Sequence, residues 1–155
     1  MRIQSVRLNN RKREVVISTP RGEFAYPYAR LDPEPTIDDP IVEFFIDEEL
    51  AGMAVTYVLG SGRDGFVHME MAFDYNREPA YMRDILLHRL TLDAQSRFTA
   101  SGLSKREVAR RLRTSPAQLY RLLDQTNYDK SVDGMLELLS VLGCDVEFTV
   151  SERSA

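Results

Sequence analysis

LSKREVARRLRTSPAQLYRLL, residues Leu103–Leu123, is the stretch on which the reading of this chain turns. Ser104 and Glu107 stand three apart before an apolar run. That is the capping-box pattern of a helix start, in which hydroxyl and carboxylate each take a free backbone N–H. Val108, Ala109 and Leu112 then recur at helical spacing, so the helix runs to about Leu112 and buries those three. Arg113-Thr114 makes a turn. Ser115 caps the next helix and Pro116 opens it, where a missing N–H costs nothing. Leu119, Leu122 and Leu123 face inward. The prediction is two short helices joined by a tight turn.

The charge around this stretch is unlike the rest of the chain. Seven Lys/Arg and one acid, Glu107, lie between Arg97 and Arg121, in a protein of 155 residues with net charge −4. Residues 1–78 hold 9 Lys/Arg against 14 Asp/Glu, whereas residues 79–155 hold 11 against 10. A sequence pI of about 5.3 therefore says little about the local surface. A cationic face on an acidic protein points to a polyanion, and the DNA backbone is the one a helix pair suits.

Working outward, the first third alternates as strands do. Ile3–Leu8, Glu14–Ser18 and Glu23–Tyr28 are separated by Asn9-Asn10 and Pro20-Arg21-Gly22, which supply turn chemistry. Leu31–Pro40 has three prolines and four acids and reads as a loop. Ile41–Gly52 fits either a strand or a short helix. Met53–Leu59 and Phe66–Phe73 read as the arms of a hairpin across GSGRDG. Pro79 then opens a long helix to about Ala100, with Met82, Leu86, Leu90, Leu92/Ala94 and Phe98 at near-helical intervals, ended by Ser101-Gly102. Gln125–Ser131 is a loop, Val132–Leu142 an amphipathic helix ended by Gly143, and Cys144–Val150 a terminal strand.

The fold class expected is α+β. A sheet-rich module over 1–76 precedes an all-helical, helix–turn–helix-shaped domain over 79–155 that closes with the strand. The side chains left exposed on the second helix of the pair are the candidate DNA readers. Gln118 has the donor and acceptor to pair with adenine, and Arg121 with guanine or a phosphate. Ser115, Pro116, Ala117 and Tyr120 stand beside them at the helix start, where phosphates are bound. Lys105, Arg106, Arg110 and Arg113 surround that face as phosphate-neutralising cations.

At Leu103, Ser104, Glu107, Val108, Ala109, Leu112, Ser115, Leu119 and Leu122 the sequence resembles the helix–turn–helix family of phage-repressor and Cro type, known as XRE. SVDGMLELLSVLG (Ser131–Gly143) is similar to the next helix of that family. A following strand, as at Cys144–Val150, resembles the ending of its repressor-type antitoxins. The resemblance spans about residues 84–150. It implies a sequence-specific DNA-binding transcriptional regulator, repressor-like or the antitoxin of a toxin–antitoxin pair. Three positions depart from the pattern: Arg113 stands where Gly is common, Lys105 where Gln is common, and Leu123 where an acid is usual.

Dimers match two half-sites, so a homodimer is expected, with Val146, Phe148 and Val150 as the pairing edge. An antitoxin would also bind a cognate toxin, through the acidic N-terminal module. The competing reading is a protein- or ligand-binding module whose helical half serves only dimerisation. His68 and His88 have no companion ligands at metal spacing, GSG is too short to cradle a phosphate, and no nucleophile–base group stands out. No metal, no cofactor and no enzymatic activity are expected. One cysteine, Cys144, and no apolar run of about 18 residues point to a reduced, cytoplasmic setting without membrane spans.

Overall fold

A period of two puts every second side chain on one face of an extended chain, and this is what builds the N-terminal elements. The computed structural model describes residues 1–153. β1 (Ser5–Asn9), β2 (Glu14–Thr19) and β3 (Gly22–Pro27) form an antiparallel sheet in that order. Its turns are closed by side chains: the Lys12 N–H donates to Asn9 Oδ1 (3.1 Å) and the Arg21 N–H to Thr19 Oγ1 (3.1 Å). Gly22 adopts a φ of 124°, a conformation that a side chain would oppose.

The second sheet holds β4 (Ile41–Ile46), β5 (Ala54–Leu59) and β6 (Asp64–His68), antiparallel and in sequence order. Ile41–Gly52 turns out to be both of its alternatives. The strand ends at Ile46, and a single 3-10 turn follows at Glu48–Leu50, capped by Asp47 Oδ1 on the Glu49 N–H (3.0 Å).

The expected hairpin arm Phe66–Phe73 is corrected. The strand ends at His68, and α1 (Met69–Asn76) begins there, with His68 Nδ1 accepting the Glu70 N–H (3.1 Å). Met69, Ala72 and Phe73 are spaced to fall on one helical face, and all three are buried. A short run with both periods in it is decided by which face finds a core. Here Phe73 meets Phe24 edge-on at 5.0 Å and Asn76 Nδ2 donates to the Ala25 carbonyl (2.8 Å). One core joins both sheets and α1, with Ile17, Val55, Tyr57 and Val67 at its centre.

Tyr57 shows how closed that core is. Its hydroxyl donates to the Pro33 carbonyl (2.8 Å). Burial, helped by the Asp32 and Asp64 carboxylates, raises the phenol from 10.0 to about 12. The stability tied to this group is full below pH about 10 and is lost as pH rises through about 12, because the unfolded chain releases the proton first. Alkaline unfolding followed by phenolate absorbance is expected to show this loss, and Tyr57→Phe is expected to remove it. A wild-type profile flat across that window contradicts the assignment.

The chain divides into two compact units, Met1–Met82 and Arg83–Ala155, with the boundary in the first turn of α2 (Pro79–Ser101). The second unit contains the rest of α2 with α3 (Lys105–Leu112), α4 (Pro116–Leu123) and α5 (Val132–Val141). The inward stripe of α2 is Leu87, Leu90, Thr91 and Ala94: the expected Leu90 and Ala94 are buried and Phe98 packs against the core, whereas Leu86 and Leu92 are exposed and Leu87 and Thr91 take the inward places. Thr91 enters the stripe because its hydroxyl donates back to the Leu87 carbonyl (2.6 Å), so its polar atom is satisfied inside the helix. With Val108, Ala109, Leu119, Leu122, Met135, Leu138 and Leu139 the stripe forms the second core.

The terminal strand expected at Cys144–Val150 is also corrected. The segment belongs to no sheet among the described residues. A strand exists only when its backbone groups find a partner ladder, and none is offered among the described residues. Val146 packs on the second core, whereas Phe148 and Val150 are 69% and 97% exposed. Among the described residues no helix is long and apolar enough to cross a membrane.

Candidate nucleic-acid interface

The candidate face is built from α3, a three-residue link and α4. Ser104 Oγ accepts the Glu107 N–H and Ser115 Oγ accepts the Gln118 N–H, each at 3.1 Å, so both helices start where the serines place them. Pro116 opens α4, as its sequence position requires. Arg113 ends α3 with φ 57° and ψ 44°, the left-handed conformation that normally recruits Gly. Ala109 and Leu119 are both buried in the second core, small against large, which lets the helices cross closely. The opposite side of α4 is left open: Pro116, Ala117, Gln118, Tyr120 and Arg121 are all exposed, as is Asp124 just past its end.

The expected capping box is only half formed, and the missing half changes the electrostatics. Glu107 does not reach back to the Ser104 N–H. Its carboxylate is held by Arg110 (Nε 2.9 Å, Nη2 2.7 Å) and by Arg111 Nε (2.9 Å). These two arginines pull the carboxyl down to about 2. Arg110, expected as a free phosphate contact, is therefore already engaged, and the trio keeps a net charge of one. Lys105 sits over Tyr120, its Nζ 4.1 Å from the ring centroid and 3.1 Å from the hydroxyl, which fixes its charge against α4. Arg106, Arg113 and Arg121 have no ion pair among the described residues. The face thus offers three unpaired guanidinium groups, one stacked ammonium and two arginines that share one carboxylate.

Two substitutions separate charge from stability here. Glu107→Gln frees both arginines, and the affinity for any duplex at low salt is expected to rise by about threefold to tenfold, with a salt slope steeper by about one. Unchanged affinity and slope would argue against this face. Arg113→Gly relieves the left-handed residue and is expected to stabilise the second unit by about 1 kcal/mol. The same change removes a cation and is expected to weaken duplex binding. If thermal melting and duplex affinity moved in the same direction, the assignment of Arg113 would be wrong.

The far end of α4 is fastened by residues that the sequence did not single out. Three of its last carbonyls are taken by side chains: Arg121 O by Asn127 Nδ2 (3.0 Å), Leu122 O by Lys130 Nζ (2.8 Å) and Leu123 O by Gln95 Nε2 (2.7 Å). Lys130 is buried and also donates to Thr91 Oγ1 (2.6 Å) and Asp124 O (3.0 Å). Burial pushes its ammonium below the usual lysine range, against the pull of the Asp124 carboxylate. A cation at a helix C-terminus satisfies orphan carbonyls and the macrodipole together. In the sequence, Lys130 reads as loop polarity; only its position after α4 hinted at this role.

Asp124 and Leu123 fit the same picture. Leu123 is half-buried against the core, which is why an acid is not used there. Val146 packs against this core, while Phe148 and Val150 are exposed. Comparison of the chain with protein-family models, with curated proteins and with solved structures finds no match.

Proposed function

We propose that the second unit binds double-stranded DNA through α3 and α4 and that the protein is a transcriptional regulator of the phage-repressor and Cro kind, acting without a cofactor in a reduced, cytoplasmic setting. The observation that carries this reading is the exposed side of α4. Gln118 and Arg121 are presented to solvent while Leu119 and Leu122 hold the helix from behind. The major groove is about 12 Å wide and admits one helix, and a side chain reads a base only if it projects freely from that helix. Gln118 and Arg121 do so; Lys105, Arg106 and Arg113 are disposed as phosphate contacts around them.

One such face covers one half-site, so we take the active form to be a homodimer. The unpaired segment at residues 144–150, with Phe148 and Val150 exposed, is where a second copy would add its own strand. Light scattering that returns a monomer mass at micromolar concentration would contradict this. Whether the regulator is a plain repressor or an antitoxin is decided by the presence of a toxin-like neighbour in the same operon.

The test of the duplex reading is a salt titration. Five or so phosphate contacts predict an affinity for mixed-sequence duplex that falls by about two to three orders of magnitude between about 50 and 200 mM salt. Absence of binding to any duplex at low salt would leave the competing reading, in which the helical unit only dimerises.

A further inference from the structure

The second sheet of the first unit has a face with no task in the account above. Register places Phe45, Thr56 and Phe66 opposite one another in a row across all three strands, and Glu43, Val58 and Asp64 in the next row on the same face. The opposite face, with Tyr57, Val55 and Val67, supplies the core. An antiparallel sheet with one solvated face ordinarily carries polar side chains there. This one carries Phe45 and Phe66, 42% and 55% exposed in the full chain, with Leu50 exposed nearby.

The surroundings of those rings are acidic. Between residues 31 and 78 there are twelve Asp/Glu against two Lys/Arg. Glu43 and Asp64 stand on the two edge strands of the face, and neither has an ion pair among the described residues. The Asp47 carboxylate is held by the middle residue of the aromatic row, Thr56, whose Oγ1 donates to it at 2.6 Å. Beside Phe66 a cleft of about 540 Å³ is lined by Leu50, Thr56, Asp47, Glu49 and Asp64. Arg30 also reaches this cleft, but its guanidinium lies over the Tyr75 ring at 5.0 Å.

We propose that this face docks a partner protein whose surface presents apolar side chains flanked by Lys or Arg. The aromatic row takes the apolar residues, since exposed aromatic patches are the anchors of interfaces. Glu43, Asp47 and Asp64 take the cations, which sets the partner's charge and its register. A nucleic acid is excluded by like charge. A second copy of the same face is disfavoured because a two-fold contact sets carboxylates against carboxylates. The proposal uses no residue of α3 or α4, so it stands or falls apart from the duplex reading.

The experiment titrates the isotope-labelled full-length chain with a synthetic peptide of alternating Leu and Lys and follows the backbone amide resonances. The controls are an oligolysine of the same charge and an uncharged Leu/Ser peptide of the same length. The expected result is saturable binding of the Leu/Lys peptide alone, with shifts centred on β4, β5 and β6. Phe45→Ser/Phe66→Ser and, separately, Glu43→Gln/Asp64→Asn are each expected to weaken it by tenfold or more. The second pair keeps every apolar side chain, so it remains informative if the first fails to fold. Equal binding of oligolysine, shifts confined to other elements, or no binding would overturn the proposal. So would a concentration-dependent self-association abolished by Phe66→Ser, which would make the occupant a second copy.

Discussion

Leu119→Ala is expected to destabilise the second unit by about 2–5 kcal/mol and to abolish duplex binding with it. Leu119 is fully buried, and with Leu122 it sets α4 in one core with Val108 and Ala109 of α3 and with Met135, Leu138 and Leu139 of α5. Truncation removes the transfer free energy of the lost atoms and leaves a cavity that these helices cannot close without moving. A small unit has only about 5 kcal/mol to lose, so the loss approaches its whole stability. Leu119→Met keeps the volume and is expected to cost less than about 1.5 kcal/mol. Thermal melting followed by helical circular dichroism checks both. A Leu119→Ala protein that melts as the wild type does would mean that α4 is not held by this core.

Arg121→Ala and Arg106→Ala are expected to part company in a way that no stability effect can imitate. Both side chains are exposed and unpaired among the described residues, so neither substitution opens a cavity or orphans a partner. Arg121 lies on the open side of α4 and Arg106 in the first turn of α3. Loss of a bidentate base contact costs about 1–3 kcal/mol on the preferred sequence and relaxes the preference at that position. Loss of a phosphate contact weakens all sequences alike and lowers the salt slope by about one. Affinities on a preferred and a scrambled duplex at two salt concentrations separate these outcomes. Equal behaviour of the two variants would argue against α4 as the reading helix.

The elements that sequence pattern made legible are those where local chemistry and tertiary packing agree. Ser104 and Ser115 mark helix starts through bonds made within four residues, Pro116 does so through a ring that suits the first turn, and the strands of the first sheet alternate because one face has a core to meet. The readings that shifted are those in which long-range packing decides. Residues 69–73 read as strand because their alternation continues that of β6; the core under Met69, Ala72 and Phe73 selects the helix. In α2 the spacing finds Leu90 and Ala94 but not Leu87 and Thr91, because Thr91 looks polar until its hydroxyl is seen to bond the Leu87 carbonyl.

In the candidate site, the identity of the exposed side chains on α4 was readable from helical spacing, but the pairing state of the cations was not. Glu107 has two positions, i+3 and i+4, from which an arginine can reach it, and both are filled. A capping-box pattern alone does not say which partner the carboxylate prefers. Lys130, Asn127 and Gln95 converge on the end of α4 from separate parts of the chain, and no spacing rule connects them.

The most direct measurement is the amide resonance map of the full-length chain titrated with a short duplex at low salt. The account predicts shifts gathered at residues 104–121, strongest at Ser115–Arg121 and lost when salt is raised. A map without shifts, or one whose shifts fall on the first unit while α3 and α4 stay unmoved, would contradict it.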